Sequence, residues 1–74
     1  MRMSTWDLRA KNLLKAEIVR QGVTYDQLRE KLSKIGINET VAGINVKINR
    51  GTFSFAFFLQ CMKALDIKII HLDI

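Results

Sequence analysis

The sequence predicts an all-α fold of four short helices, with a short β-strand at the C-terminal end. Proline is absent from the 74 residues, and four segments carry apolar residues at the three- and four-residue spacing of a helix face. Residues that commonly cap helices precede these segments, at Ser4, Thr24, Asn38 and Ser54. We therefore expect a single domain over residues 1–74, with a helical core over 5–66 and a strand over 67–74.

The first two helices each begin with a capping box, in which the cap and the residue three positions later bond each other's backbone N–H groups. Ser4 and Thr24 are both followed by such a partner, which predicts helices over about 5–20 and 25–34. The side chains that should face the core from these two helices are Trp6, Ala10, Leu13, Leu14, Ala16, Ile18 or Val19, Tyr25, Leu28, Leu32 and Ile35.

The third helix is predicted over about 39–50, with Asn38 as its N-cap. Val41, Ile44 and Ile48 fall within one narrow arc of a helical wheel, which marks the core face. Small residues lie on the opposite side with polar ones around them, an arrangement that favours close approach to another surface. The residues of that side and its rim are Glu39, Thr40, Ala42, Gly43, Asn45, Val46, Lys47, Asn49 and Arg50.

The fourth helix, predicted over about 55–65, is the most apolar of the four segments. Ser54 is its expected N-cap, and Phe53 is placed to contact Phe58. So broad an apolar surface predicts the central element of the core. The surface consists of Phe55, Phe58, Leu59, Met62 and Leu65, with Phe57, Cys61 and Ala64 beside them.

The C-terminal residues 67–74 change to an alternating pattern. Ile70, Leu72 and Ile74 alternate with polar residues, which is typical of a β-strand. A strand needs a hydrogen-bonding partner, and no other segment has a strand pattern. We expect residues 67–74 to pair antiparallel with the same segment of a second copy, giving a homodimer. The alternative is a strand packed on its own domain.

Composition excludes several classes of function. A single cysteine, Cys61, and a single histidine, His71, exclude an internal disulfide and a zinc finger. No apolar run approaches the ~20 residues that span a bilayer, and no secretory leader is recognisable, so a cytoplasmic protein is expected. Cys61 is interpreted as inert packing in an apolar helix. The absence of a catalytic constellation, a metal-ligand set and a phosphate-binding glycine loop predicts a protein that is not an enzyme and has no cofactor.

The charge balance indicates a polyanionic partner. Twelve Lys and Arg residues against seven Asp and Glu residues give a net charge of +5. Such a balance favours nucleic acid as the partner. A basic domain without a polyanionic partner is the alternative on charge alone.

Short motifs resemble those of the lambda-repressor-like and Cro-like helix-turn-helix superfamily, in which a T-Q-x-x-L-A-x-x-L helix precedes a recognition helix ending in I-x-R-G. Residues 24–32 and the Ile-Asn-Arg-Gly run at 48–51 are similar to these motifs, with Arg29 at the alanine position. Over residues 6–66 the chain more closely resembles a compact bacterial family of unknown function with an N-K-I-x-R-G-x-F-S signature. The resemblance to the lambda-repressor-like and Cro-like superfamily implies a four-helix, helix-turn-helix fold and DNA binding.

The expected DNA contacts lie on and around the third helix. In the major groove, asparagine can pair with adenine, and lysine or arginine with guanine. Helix N-termini and lysines can contact phosphates. The candidate DNA-binding residues are Thr40, Gly43, Asn45, Lys47, Asn49, Arg50, Lys34 and Lys15, with Asn38, Lys11 and Arg20 as further phosphate candidates.

Several of these candidates have a purely structural alternative. Asn49 could cap the third helix, Arg50 could form a salt bridge with Glu39 or Asp66, and the cations of the first helix could form a solvated face. The predicted function is a dimeric transcriptional regulator that binds double-stranded DNA. The alternative is a protein–protein interaction module that uses the third-helix surface without binding nucleic acid.

Overall fold

A computed structural model describes residues 3–72 of the chain as four α-helices joined by short turns. The helices are α1 (Thr5–Arg20), α2 (Tyr25–Lys34), α3 (Val41–Arg50) and α4 (Phe55–Ala64). The all-α class and the bounds of α1 and α2 are confirmed, whereas α3 begins later and α4 ends earlier than predicted. Over these residues, no helix is both long enough and apolar enough to cross a membrane.

The capping boxes of α1 and α2 are present as predicted. Ser4 Oγ accepts a hydrogen bond from the Asp7 backbone N–H at 3.0 Å, and the Asp7 carboxylate accepts one from the Ser4 N–H at 3.2 Å. Thr24 and Gln27 exchange the same pair of bonds at 3.1 and 2.9 Å. These bonds satisfy backbone donors that the first turn of a helix otherwise leaves unpaired.

α3 begins at Val41 because Thr40 caps it, and the prediction of Asn38 as the cap is wrong. Thr40 Oγ1 accepts a hydrogen bond from the Gly43 backbone N–H at 2.9 Å. Both residue types cap helices well, so composition did not separate them. In the shorter helix, Val41 occupies the first position at the edge of the domain. Its side chain is therefore 39% exposed, and the prediction that Val41 faces the core is wrong.

The core lies where the four helices meet. α2 packs against α3 and α4, and α1 packs against α3. Burying a leucine or isoleucine side chain contributes about 1.5–3 kcal/mol, so α3 is held from two sides through Ile44 and Ile48. The fully buried side chains come from all four helices and are Leu14, Leu28, Leu32, Ile44, Ile48 and Cys61.

The apolar surface of α4 is wider than the face that the other helices cover. Phe57, Phe58 and Cys61 are buried, but Phe55 and Leu59, which were predicted to face the core, are 72% and 51% exposed. The predicted contact of Phe53 with Phe58 is confirmed, with nearly parallel rings whose centroids are 6.5 Å apart. Other residues of the predicted core stripes that lie exposed are Trp6, Ala16 and Ile35. Most of them lie near helix ends, where less neighbouring chain covers them. Of the alternatives Ile18 and Val19, Ile18 is the one that is buried.

The prediction of a C-terminal strand is wrong for the residues that the structure describes. Residues 67–72 form no strand, and residues 73–74 lie outside the described part. Ile67 and Ile70 pack against the core instead, and the Ile67 N–H donates to the Met62 carbonyl at 2.9 Å. Ile67 and Ile70 are three positions apart, and both cover the helices of their own chain. An alternating strand pattern would place these two side chains on opposite faces.

A close backbone contact joins the end of α3 to the start of α1. Gly51 ends α3 in the left-handed conformation, with φ of +69°. A Cβ atom at this position would lie 2.2 Å from the Asp7 carbonyl oxygen. Only glycine permits both this φ and this approach. Gly51 therefore fixes how closely the C-terminal end of α3 sits against α1.

Gly51→Ala should strongly destabilise the domain, because the added methyl group would overlap backbone and strain φ. We expect the free energy of unfolding to fall by at least about 3 kcal/mol in urea denaturation followed by circular dichroism. Gly36→Ala is the control, since its φ is +84° and no atom lies within 4 Å of the added Cβ. It should lose only about 1 kcal/mol. Equal losses in the two variants would contradict the importance of the Gly51 contact.

Candidate nucleic-acid interface

The outward edge of α3 is the surface opposite Ile44 and Ile48. Asn45, Lys47 and Arg50 are exposed on or beside it, and α3 contains no acidic residue. The acid-free stretch extends from residue 40 to residue 65, in which Lys47, Arg50 and Lys63 are the charged side chains. The edge therefore presents amide and cationic groups with no carboxylate of its own helix among them.

Lys47 is held by partners within the domain. Its ammonium group forms an ion pair with Glu39, and it lies 5.0 Å from the centre of the Phe57 ring. The Glu39 side chain is only 14% exposed, so the pair is partly shielded from solvent. The sequence predicts Lys47 as a base contact, but in the structure the positive charge of Lys47 is largely neutralised by Glu39. Because Glu39 pairs with Lys47, the alternative of a salt bridge between Glu39 and Arg50 is not realised.

Arg50 is the exposed cation at the end of α3. Among residues 3–72, no carboxylate lies within ion-pair distance of its guanidinium group. Arg50 lines a shallow cleft together with Thr52, Ser54 and the ring of Phe53. Ser54 caps α4 at this cleft, where the first backbone N–H groups of that helix have no partner within the helix. Their partial positive charge adds to that of Arg50.

Asn49 and Asn45 form a hydrogen-bonded chain with Lys15 of α1. Lys15 Nζ donates to Asn49 Oδ1 at 3.1 Å. Asn49 Nδ2 donates to the Asn45 backbone oxygen and to Asn45 Oδ1, at 2.8 Å each. Asn49 thus bonds the preceding turn of its own helix, whereas Gly51 is the C-cap. Lys15, predicted as a phosphate contact, reaches the α3 edge and has one of its donors engaged there.

The remaining predicted contacts are distributed around α3. Thr40 has its hydroxyl oxygen engaged as the N-cap acceptor, and Gly43 is the donor to it. A Cβ at Gly43 would come within 3.0 Å of Thr40 Oγ1, so the glycine also gives room to that cap. Lys34 and Asn38 are exposed between α2 and α3. They lie before the helix and not on its outward edge.

The α1 cations differ in what holds them. The Arg20 guanidinium forms a 2.5 Å ion pair with Glu17, whose side chain is only 6% exposed. Arg9 lies over the Trp6 ring at 4.8 Å. Lys11 is half-buried, and no ion pair within the described residues includes it. Lys15 is therefore the α1 cation that the structure brings to α3, a pairing across 34 positions that no sequence pattern signals.

Cys61 and His71 are not brought together. Cys61 is fully buried in α4, and burial raises the pKa of its thiol from 9.0 to about 12, with Glu39 raising it further and Lys47 lowering it. His71 is exposed beside α1, where it lines a groove with Arg9, Asn12 and Glu17. Within residues 3–72, no cluster of three His, Cys, Asp or Glu side chains could hold a metal ion.

Comparison with known families matches residues 6–70 to a domain of unknown function, DUF6471. The chain belongs to the DUF6471 family. The expected membership of a compact family of unknown function is thereby confirmed, whereas the resemblance of this DUF6471 domain to helix-turn-helix repressors stays a prediction. Comparisons with curated proteins and with solved structures gave no match.

The raised pKa of Cys61 predicts a loss of stability at alkaline pH. Because the folded-state pKa lies above the unfolded value, the protonated thiol contributes stability below pH 9.0, and this contribution is lost as the pH rises towards about 12. Wild-type protein should therefore lose more free energy of unfolding between about pH 9 and 11 than Cys61→Ala. Urea denaturation at each pH measures this difference. Parallel losses in the two proteins would contradict the buried, protonated thiol.

Proposed function

We propose that this DUF6471 domain binds double-stranded DNA through the outward edge of α3. The observation that carries the proposal is the placement of Asn45 and Arg50 on one exposed edge of a helix that has no acidic residue and is anchored by the buried Ile44 and Ile48. A single helix fits the major groove, where amide and guanidinium groups hydrogen-bond base edges.

The α2–α3 pair supports a helix-turn-helix unit. α2 packs against α3, and residues 35–40 connect them. In such units the second helix enters the groove while the first crosses the backbone. α3 would be the recognition helix, with Lys34 and Asn38 beside the DNA backbone. The connecting segment is longer than the usual three- to four-residue turn.

Charge supports the same surface. The chain carries a net charge of +5, and Arg50, Lys15 and the N-terminal end of α4 all present positive charge near one edge. Lys47 contributes less because Glu39 neutralises it. Phosphate contacts release condensed counterions, so the affinity should depend steeply on salt concentration.

The proposal also includes that the domain binds DNA as a dimer and acts in transcriptional regulation. Two copies related by a two-fold axis would bind two half-sites about one helical turn apart and would double the phosphate contacts. Analytical ultracentrifugation of the domain with and without a duplex distinguishes one bound copy from two.

A protein–protein interaction module is the second candidate function. Val41 and Val46 are 39% and 45% exposed on α3, and Ala42 lies exposed between them. These apolar side chains would suit a partner surface as well as the thymine methyl groups of DNA. If Val46→Glu abolished a complex with an identified protein while retention on DNA persisted, this second function would be favoured.

Arg50→Ala should weaken duplex binding by about ten-fold, because a guanidinium contact to a base or phosphate is worth about 1–3 kcal/mol. Fluorescence anisotropy with a pool of labelled duplexes at two salt concentrations measures the affinity and its salt dependence. Loss of one phosphate contact would also reduce the salt slope by about one.

Arg9→Ala is the charge-matched control for that experiment. Arg9 lies over Trp6 and lines the groove of α1 that includes His71, whereas Lys15 is the α1 residue that bonds α3. Removal of the Arg9 guanidinium group should leave duplex affinity close to the wild-type value. Binding that is absent, insensitive to salt, or weakened equally by both variants would overturn the proposed interface.

A further inference from the structure

Val46 lies at the centre of the outward edge of α3. It is two positions from each of the buried Ile44 and Ile48. Two residues of a helix turn the direction of a side chain by about 200°. The Val46 side chain therefore points away from both isoleucines, and it is 45% exposed. An apolar side chain thus occupies the position of α3 that faces most directly outwards.

The neighbours of Val46 permit a close approach of α3 to another surface. Ala42 lies one turn before Val46 and is exposed on the same side of the helix. Gly43, in the same turn, has no side chain, and Arg50 lies one turn after Val46. Because small residues precede Val46, no long side chain of that turn holds α3 away from a groove. In the major groove, Val46 would then be the side chain nearest to the base edges.

The major groove offers one apolar substituent to such a side chain. The base pairs present hydrogen-bond donors and acceptors there, together with the C5-methyl group of thymine. A valine placed against a donor or an acceptor would displace water from it without supplying a hydrogen bond, which is unfavourable. Against the thymine methyl group, the same valine buries apolar surface of both partners. The chemistry of Val46 therefore matches thymine.

We infer that Val46 is a specificity-determining residue that selects a base carrying a methyl group at C5, which is thymine in unmodified DNA. The inference rests on the proposed DNA binding through the outward edge of α3. Val46 recognises the methyl group itself, whereas Asn45 and Arg50 offer hydrogen bonds to neighbouring groups. 5-Methylcytosine carries its methyl group on the same ring carbon, so Val46 should also distinguish it from cytosine.

Single deoxyuridine substitutions test the inference, because deoxyuridine differs from thymidine only in lacking the methyl group. A duplex is selected by the wild-type domain from a random library, and each of its thymines is then replaced in turn. At the contacted position, wild-type affinity should fall about four-fold, as expected for one buried methyl group. In Val46→Ala the same substitution should change affinity by less than about two-fold, because the shortened side chain leaves a gap.

Val19→Ala is the matched control, since it removes an exposed valine of α1 and leaves α3 intact. It should keep the wild-type ratio of thymine to uracil affinities. A change in DNA shape caused by uracil would affect wild type and Val46→Ala equally, so the comparison isolates the contact between the valine and the methyl group. Circular dichroism establishes that each variant is folded.

Cytosine methylation gives a second readout at the same base pair. The contacted thymine–adenine pair is replaced by a cytosine–guanine pair, with and without a methyl group at cytosine C5. The methyl group should raise wild-type affinity about four-fold and should have little effect on Val46→Ala. Equal affinity of wild type for the methylated and unmethylated duplexes would overturn the inference.

A measurement on the wild-type complex needs no variant. Nuclear Overhauser effects should connect the methyl hydrogens of Val46 with the C5-methyl hydrogens of one thymine in the selected duplex. If the duplex is bound without such an effect, the inference is overturned whatever the variants do.

The outcomes also separate this inference from the proposed function. If no duplex is selected or bound, the proposed DNA binding fails, and the preference for the methyl group fails with it. If a duplex is bound but no deoxyuridine substitution lowers wild-type affinity, DNA binding stands and the inference is overturned. The same conclusion follows if the substitution weakens wild type and Val46→Ala equally.

Discussion

The burial of Ile44 and Ile48 is the constraint on which the rest of the structure depends. Both side chains are fully buried, and they lie four residues apart on one face of α3. α1 and α2 both pack against this helix, so α3 cannot rotate without exposing apolar surface, at a cost of about 25 cal/mol per Å². Because α3 is fixed in this orientation about its axis, Asn45 and Arg50 face outwards.

The two ends of α3 are fixed by different interactions. Thr40 caps its first turn, and Gly51 brings its last turn against the Asp7 carbonyl of α1. Between these ends, Lys15 reaches from α1 to Asn49. α1 is therefore both a support for α3 and a contributor to its polar edge. A surface held at both ends is well suited to recognition, because little conformational entropy remains to be lost on binding.

Local signals in the sequence predicted much of this fold. The capping boxes at Ser4 and Thr24 determine where α1 and α2 begin, because the bonds involve residues three positions apart. The start of α3 was missed since Asn38 and Thr40 are both good caps, and only the position of the Gly43 N–H separates them. The C-terminal segment was misread because its isoleucines pack on the helical core, which periodicity alone does not reveal.

The candidate site was predictable only in part. Exposure of Asn45 and Arg50 follows from the helical period once Ile44 and Ile48 are placed inside. The engagement of Lys47 with Glu39 and Phe57, and of Lys15 with Asn49, depends on how α1, α3 and α4 pack. Such contacts join distant parts of the chain, so no local pattern contains them. They also change the chemistry of the edge. The ion pair with Glu39 engages Lys47, and the hydrogen bond from Lys15 orients the side chain of Asn49.

The most direct test of the account is a titration of the ¹⁵N-labelled domain with a duplex pool, followed by amide chemical shifts. The account predicts that the largest shifts map to the outward edge of α3, at Asn45, Val46 and Arg50, with a smaller change at Lys15. Residues on the far side, such as His71, should stay unchanged. Shifts concentrated instead on the exposed apolar edge of α4, or no shifts at all, would contradict it.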